Sequence, residues 1–148
     1  MKLMIIMAGL PRSGKSTWIK EYGMERYVIG ADNIRRILHG QQFIEQAEPM
    51  VWAVRRYILD NTLMQGLDCI IDETNLTVKR REDLIALAKH YGYKVNCVYV
   101  RTPKEICIKR AEVEGNFKLL KVIERMDAYT EVPTNLEGFN FIEVISPD

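Results

Sequence analysis

The chain has 148 residues, of which 47% are hydrophobic and 28% are charged, so it can bury the core of one domain and lacks the composition of a disordered protein. Its 21 lysines and arginines nearly balance its 20 aspartates and glutamates. A net charge of +1 excludes the bulk electrostatic attraction by which strongly basic proteins wrap long nucleic acids.

Short apolar runs alternate along the chain with segments of helical periodicity. The predicted strands are, in order, Lys2–Ala8, Tyr27–Ile29, Asp68–Asp72, Lys94–Val100 and Phe141–Ile145. The predicted helices are Lys15–Tyr22, Asn33–Leu38, Glu48–Gln65, Val78–Tyr91, Pro103–Glu114 and Leu120–Tyr129. This alternation predicts a single α/β domain over residues 1–148, a three-layer sandwich with a central parallel sheet of about five strands and helices on both faces.

Residues at the helix ends agree with this assignment. Glycines suited to ending helices follow four of the helical segments, namely Gly40, Gly66, Gly92 and Gly115. Thr77 is a plausible N-cap. Thr102, Pro103 and Glu105 have the pattern of a capping box, with Thr102 at the N-cap.

The stretch GLPRSGKSTW follows the first predicted strand and matches the phosphate-binding loop pattern in full. Its glycines allow main-chain N–H groups to face an anion, Lys15 can reach the β- and γ-phosphates, and the Ser16 hydroxyl can ligate Mg²⁺. The alternative, a glycine-rich turn with a surface lysine, fits the strand–loop–helix context less well. The candidate residues for binding ATP, or alternatively GTP, are Gly9, Leu10, Pro11, Arg12, Ser13, Gly14, Lys15, Ser16 and Thr17.

The segment GADNIRR follows the second predicted strand and suggests an acceptor site. Asp32 could orient the accepting hydroxyl and take its proton, and Arg35, three residues on, could bind an anionic group of the substrate. The alternative is that Asp32 only caps the following helix.

The segment DETN ends the third predicted strand. Asp72 there could hold Mg²⁺ through water, and Thr74 and Asn75 would lie in the loop above it, facing the same cleft. The alternative is an Asx or Thr turn that leads into the next helix.

Residues 110–121 are basic and suggest a lid, in which Arg110 or Lys118 would approach the phosphates; the alternative is a solvated helix face. Two further basic clusters, Arg55-Arg56 and Lys79-Arg80-Arg81, could bind a polyanion. Because Glu82 and Asp83 dilute the second cluster, we interpret these clusters as solvated surface.

Taken in order, these motifs resemble the kinase domain of phage-type polynucleotide 5′-kinases and related small P-loop kinases. The resemblance spans nearly the whole chain and rests on GLPRSGKSTW, ADNIRR, DETN, AKHYGYKV, RTPKEICIKR and VIERM. It implies a P-loop kinase fold with a helical lid. It also implies that Asp32 is the general base, that Arg35 binds the phosphate next to the accepting nucleotide, and that Thr74 and Asn75 help form the acceptor pocket.

Two positions depart from the family pattern. Glu114 stands where a second lid arginine is usual, which leaves Arg110 and Lys118 for that role. Glu73 adds negative charge where a polyanion would approach.

Three functions remain open. The first is transfer of the γ-phosphoryl group of ATP, with Mg²⁺, to the 5′-hydroxyl of DNA or RNA, which Arg35 and the ordered motifs favour. The second is phosphorylation of a small-molecule hydroxyl on a nucleoside, sugar or antibiotic, which the neutral charge and Glu73 favour. The third is a nucleotide-binding switch, against which Asp32 argues, because a switch needs no hydroxyl base.

The sequence also suggests where the protein acts. The three cysteines lack paired spacing and predict buried thiols in a reducing compartment. No apolar run reaches the length of a membrane span, and the N-terminus lacks a signal-peptide cleavage site. We therefore expect a cytoplasmic protein with no membrane association and no evident obligate protein partner.

Overall fold

A computed structural model describes residues 2–23 and 26–146. Five parallel strands form its central sheet in the order β2-β3-β1-β4-β5. The strands are β1 (Leu3–Ala8), β2 (Tyr27–Ile29), β3 (Cys69–Ile71), β4 (Lys94–Val100) and β5 (Phe141–Ile145). Because all strands run in one direction, the loops after β1, β2, β3 and β4 meet at one edge of the sheet.

Helices connect the strands and cover the sheet. They are α1 (Lys15–Tyr22), α2 (Ala31–His39), α3 (Glu48–Met64), α4 (Val78–His90), α5 (Lys104–Val113) and α6 (Lys118–Tyr129). The predicted α/β fold is confirmed, with element bounds that differ from the sequence-based ones by a few residues at most. No helix among the described residues is long and apolar enough to cross a membrane.

The side chains of β1 alternate between two apolar layers, which explains why this strand is buried along its whole length. Met4 and Ile6 belong to the cluster that includes Leu59 of α3 and Leu84 of α4. On the other face, Met7 packs in a cluster with Trp18 of α1. The two faces together give the predicted three-layer sandwich.

Two smaller apolar clusters fix the helices that border the edge where the loops meet. Cys107 of α5 and Ile123 of α6 pack with Leu10 of the loop after β1, so the predicted lid is a packed helical pair in this structure. Ile34 of α2 packs against Val51 of α3. Both clusters border the loops in which the candidate residues lie.

The helix ends confirm some sequence predictions and correct others. Thr77 caps α4, since its side-chain oxygen accepts a hydrogen bond from the Arg80 N–H at 3.3 Å. The capping box at Thr102 is wrong: α5 begins after Pro103 without a side-chain cap. The Thr102 hydroxyl instead donates to the Ser13 carbonyl at 2.6 Å, because Thr102 follows β4 and lies beside the phosphate-binding loop. The four predicted helix-ending glycines are confirmed, each with φ between 73° and 80°.

Burial confirms one prediction and overturns another. The three cysteines are buried and free, as predicted. Arg81, however, is fully buried and does not lie on a solvated face. Its guanidinium pairs with Glu137 at 2.7 Å and 3.2 Å and donates to the Asn75 carbonyl at 2.8 Å. These partners offset the cost of burying its charge.

Candidate active site

The loop after β1 is folded so tightly that it needs glycine. Gly9 and Gly14 have φ values of 156° and 114°, which other residues rarely adopt. A Cβ on Gly9 would lie 2.7 Å from the Ser13 Oγ and 2.8 Å from the Val100 carbonyl oxygen. The first glycine of the predicted motif is therefore required by contact with β4 as well as by backbone conformation.

Three other segments hold the loop in place through hydrogen bonds. Thr74 accepts from the Gly9 N–H at 3.0 Å, and the Asn75 side-chain amide donates to the Met7 carbonyl at 2.7 Å. From the lid, the Arg110 guanidinium donates to the Arg12 carbonyl at 2.9 Å. Together with Thr102, these contacts fix the shape of the loop from the segments after β3 and β4.

Lys15 carries a charge that no described carboxylate neutralises by an ion pair. Its Nζ donates to the carbonyls of Gly9 and Leu10 at 2.9 Å and 2.8 Å. Burial lowers the pKa of this amine to about 8, while the nearby carboxylates of Asp72 and Asp32 act in the opposite direction. A buried ammonium held only by neutral oxygens suits an anionic ligand such as a phosphate group.

Asp72 lies at the end of β3, next to β1, as predicted. Its N–H donates to the Ile29 carbonyl at 2.8 Å, which joins the ends of β2 and β3. Burial raises the pKa of the Asp72 carboxyl, and Lys15 partly opposes that rise. Ser16 is exposed in the first turn of α1. The hydroxyl of Ser16 and the carboxylate of Asp72 are both oxygen ligands of the kind that Mg²⁺ prefers.

Asp32 lies in the first turn of α2, and it does not cap the helix. The N-cap is Gly30, and no side chain bonds there. A Cβ on Gly30 would lie 2.4 Å from the Asp72 carbonyl oxygen, so glycine is what lets α2 begin against the end of β3. The Asp32 side chain is 83% exposed, which leaves its carboxylate accessible to a ligand.

Arg35 holds two carboxylates at once. Its guanidinium donates to Asp32 Oδ1 at 2.7 Å and makes two bonds to Glu48, of 2.9 Å and 2.6 Å. The same contacts hold the pKa of the Glu48 carboxyl below its usual value. The Arg35 guanidinium was predicted to bind a substrate phosphate, but in this structure two of its hydrogen bonds go to Glu48. Its third hydrogen bond orients the Asp32 carboxylate.

A cleft of about 1000 Å³ opens above this edge of the sheet, between α2, α3 and α6. It brings together the predicted acceptor and metal residues Asp32, Arg35, Asp72, Thr74 and Asn75 with two predicted ATP-binding residues, Pro11 and Arg12. It is also lined by Trp52, Arg125 and Tyr129, to which the sequence analysis gave no role, and by Arg80, which it interpreted as solvated surface. Lys118 lines the cleft, whereas Arg110 contacts the phosphate-binding loop and is not part of the cleft lining.

Both acidic departures from the family pattern are neutralised. Glu73 is paired with Arg55 through bonds of 2.8 Å and 3.1 Å and is only 10% exposed. Glu114 is paired with Arg12 of the phosphate-binding loop, with Nε 2.9 Å from both carboxylate oxygens. The concern that Glu73 repels a polyanion is therefore removed. Neither ion pair could be predicted from a local sequence pattern, because each depends on tertiary contacts.

Residues 4–133 match a protein family described as AAA domain. The chain is 27% identical over 140 residues to L-seryl-tRNA(Sec) kinase of Methanococcus maripaludis, covering 88% of this chain and 53% of that protein. It is 28% identical over 142 residues to a protein of Acanthamoeba polyphaga mimivirus named bifunctional polynucleotide phosphatase/kinase, covering 95% and 30%. The chain thus spans about half of the first relative and about a third of the second.

The fold also occurs in solved structures. The Mycobacterium tuberculosis APS kinase CysC, solved with AMPPNP and APS, superposes with a TM-score of 0.63 and 18% identity. The match covers 98% of this chain and 88% of that one. At this level of identity, the likeness concerns the fold alone.

Proposed function

The chain belongs to the AAA domain family of P-loop kinases, and we propose that it transfers the γ-phosphoryl group of ATP to the 5′-hydroxyl of a DNA or RNA strand. The observation that carries the proposal is the position of Asp32. Its exposed carboxylate is oriented by Arg35 in the cleft that also contains Asp72, next to the loop that holds Lys15.

The donor side fits a nucleoside triphosphate with Mg²⁺. ATP would supply the phosphoryl group, and Mg²⁺ would offset the charge of its phosphates. Lys15 offers an ammonium whose present partners are neutral carbonyls. Ser16 and Asp72 would offer oxygen atoms to the metal ion.

On the acceptor side, the Asp32 carboxylate takes the proton of the attacking hydroxyl. A bond forms between that hydroxyl oxygen and the γ-phosphorus, while the bond from the γ-phosphorus to the bridging oxygen breaks and ADP leaves with the electron pair. Arg110, already bonded to the Arg12 carbonyl, is placed to offset the charge that develops on the transferred group.

Two considerations support a nucleic acid as the acceptor. The two relatives named above carry names that refer to a tRNA or a polynucleotide. In addition, Glu73 is neutralised by Arg55, so it does not oppose an approaching phosphodiester. The first relative's name also points to a hydroxyl carried on RNA by an attached serine, which makes a seryl-tRNA an acceptor to test.

The alternative is a small-molecule hydroxyl. The net charge of +1 favours it, and the shared fold with an APS kinase is compatible with it. A third reading, a nucleotide-dependent switch, predicts slow ATP hydrolysis without an acceptor.

A single panel separates these functions. The protein is given γ-labelled ATP and Mg²⁺ with 5′-hydroxyl DNA and RNA oligonucleotides, a seryl-tRNA, free nucleosides and sugars, and also with no acceptor. We expect label at the 5′ end of the oligonucleotides. Label only on a nucleoside or a sugar would establish the alternative, and release of free phosphate that no acceptor changes would identify a switch.

A further inference from the structure

Trp52 of α3 lines the cleft among three arginines. The guanidinium carbons of Arg35, Arg55 and Arg80 lie 6.0, 5.6 and 5.2 Å from the centre of its ring. These distances are within the range of cation–π attraction. The three arginines come from α2, α3 and α4, so the fold gathers them from distant parts of the sequence onto one aromatic side chain.

Two of these arginines are fixed by carboxylates. Arg35 makes a forked pair with Glu48, and Arg55 makes one with Glu73. The side chains of Arg35 and Arg55 are 15% and 14% exposed, so each guanidinium has its donors directed at a largely buried partner. Neither can move to a ligand without leaving a carboxylate unpaired.

Arg80 differs from the other two. It is exposed, and within residues 2–23 and 26–146 no carboxylate forms an ion pair with it. Its main-chain N–H is used in the Thr77 cap, which fixes its backbone at the start of α4, while its side chain lines the cleft. Arg80 thus has a fixed main chain and a guanidinium without an ion-pair partner among the described residues, and it lies beside Trp52, the one tryptophan in the cleft lining.

We propose that Trp52 and Arg80 form a nucleotide subsite: the indole stacks on the base that carries the accepting hydroxyl, and Arg80 moves from the ring to the phosphate that joins this nucleotide to the next. The inference rests on the proposed function, and it assigns the phosphate contact to Arg80 instead of Arg35. Bases stack on aromatic side chains whatever their identity. The acceptor class is therefore a nucleotide with a 3′-phosphate, read without strong base preference.

The first experiment measures binding and needs no phosphoryl transfer. The chain has two tryptophans, so Trp18→Phe leaves Trp52 as the only source of tryptophan fluorescence. In that background, the probes are thymidine 3′-monophosphate, thymidine, and a 3′-phosphorylated tetrahydrofuran that lacks the base. We expect the first to quench Trp52 fluorescence and to bind at least about tenfold more tightly than the other two.

Arg80→Ala should reduce the affinity for thymidine 3′-monophosphate to that for thymidine. The matched control is Arg56→Ala, which removes an equal charge from an exposed arginine of α3 that pairs with Asp60. It should leave all three affinities unchanged. Equal binding of phosphorylated and unphosphorylated probes by the unaltered Arg80 protein would overturn the role of Arg80, and quenching by the base-free probe would overturn stacking.

The second experiment is kinetic and separates ligand contact from a structural role of Trp52. Trp52→Leu should raise the KM for a 5′-hydroxyl oligonucleotide roughly 10- to 100-fold while changing kcat only a few-fold, and Trp52→Phe should restore most of the KM. Loss of kcat with unchanged KM would mean that Trp52 only packs the arginines, and would overturn the subsite.

Failure of the inference and failure of the proposed function give different results. If wild-type protein phosphorylates oligonucleotides but neither the fluorescence nor the KM responds to these variants, the subsite is wrong and the kinase function stands. If thymidine 3′-monophosphate quenches Trp52 as described but no 5′-hydroxyl is phosphorylated, the subsite stands and the proposed reaction is wrong.

Discussion

Asp32 shows how one side chain can be assigned only when its neighbours are known. The sequence predicts that Asp32 caps the following helix, and the family resemblance implies that it is also the general base. The structure places the cap at Gly30 and leaves the Asp32 carboxylate exposed and bonded to Arg35. With the cap excluded, orientation by Arg35 is the feature that supports a chemical role.

Asp32→Asn therefore tests chemistry with little effect on stability. The side chain is exposed and nearly isosteric, so we expect an unchanged melting temperature and a turnover reduced roughly 10²- to 10⁴-fold, the usual contribution of a positioned base. Labelled-ATP assays and thermal unfolding would measure both. Asp60→Asn on α3 is the control, and an Asp32→Asn enzyme with full turnover would remove the base assignment.

Arg110 is the second residue whose predicted role becomes more specific once its contacts are known. It bonds to the Arg12 carbonyl in the loop, whereas Lys118 lies exposed in the cleft. We expect Arg110→Ala to lower turnover by about 10²-fold or more, in line with the loss of one transition-state donor, and Lys118→Ala to have less effect. Single-turnover rates decide the matter, with Lys109→Ala as the neighbouring control. The reverse order of effects would assign the lid cation to Lys118.

At the scale of elements, strands and helices were predictable and their junctions were less so. Apolar runs and helical periodicity depend on residues close in sequence, so bounds such as those of β4 and β5 were correct. Thr102 satisfied the local rule for a cap, yet its hydroxyl donates a hydrogen bond to a residue 89 positions away in the sequence. The pairing of Arg12 with Glu114 spans 102 residues and carries no local signal at all.

Thr102 should matter for the loop more than for its own helix. In Thr102→Val the Ser13 carbonyl loses its donor in a buried position, which we expect to cost about 1–3 kcal/mol of unfolding free energy and to raise the KM for ATP. Urea unfolding and steady-state kinetics would measure these effects. Thr62→Val, which removes another buried hydroxyl, one bonded to the Ile58 carbonyl within α3, should leave the KM for ATP unchanged. An equal KM effect in both variants would contradict a specific role for Thr102.

Tyr93 makes the free energy of unfolding depend on pH, through its contact between the start of β4 and the end of α3. Its hydroxyl donates to the Leu67 carbonyl at 2.9 Å, and burial raises its pKa from 10.0 to about 12. Since the folded protein keeps this proton longer than the unfolded chain, the stabilisation is complete below pH 10 and is lost as the pH rises towards 12. Urea midpoints at pH 9 and pH 11 should fall more in wild type than in Tyr93→Phe. Parallel declines would show that the hydroxyl makes no such contribution.

At the scale of the whole molecule, the resemblance to polynucleotide 5′-kinases and other small P-loop kinases is confirmed by the family match and by the relatives. The motifs were predictable because each is short and contiguous. The cleft walls were not, because Trp52 and Arg80 become neighbours only when α3 and α4 pack against the same sheet. The buried Arg81 was misjudged for the same reason, since Glu137 lies 56 residues beyond it.

Arg81 links three parts of the fold and should be important for stability. Arg81→Met would leave Glu137, whose side chain is only 6% exposed, without its cation, and we expect a loss of about 3–5 kcal/mol in unfolding free energy. Urea unfolding would measure it. Arg81→Lys should lose less, and Arg81→Met combined with Glu137→Met should recover part of the loss. A single Arg81→Met variant as stable as wild type would contradict this account.

The hydrogen bonds that fix the phosphate-binding loop also determine when it forms. The partners of Met7, Ser13 and Arg12 lie 68, 89 and 98 residues further along the chain. Contacts of such long range form late in folding, because closing the intervening chain costs conformational entropy before the contact contributes any stabilisation. A ribosome-bound fragment that ends before β4 contains Asn75 but lacks Thr102 and Arg110, two of the three side chains that fix the loop. Nucleotide would stabilise the protein by slowing its unfolding, and it would do little to speed its folding.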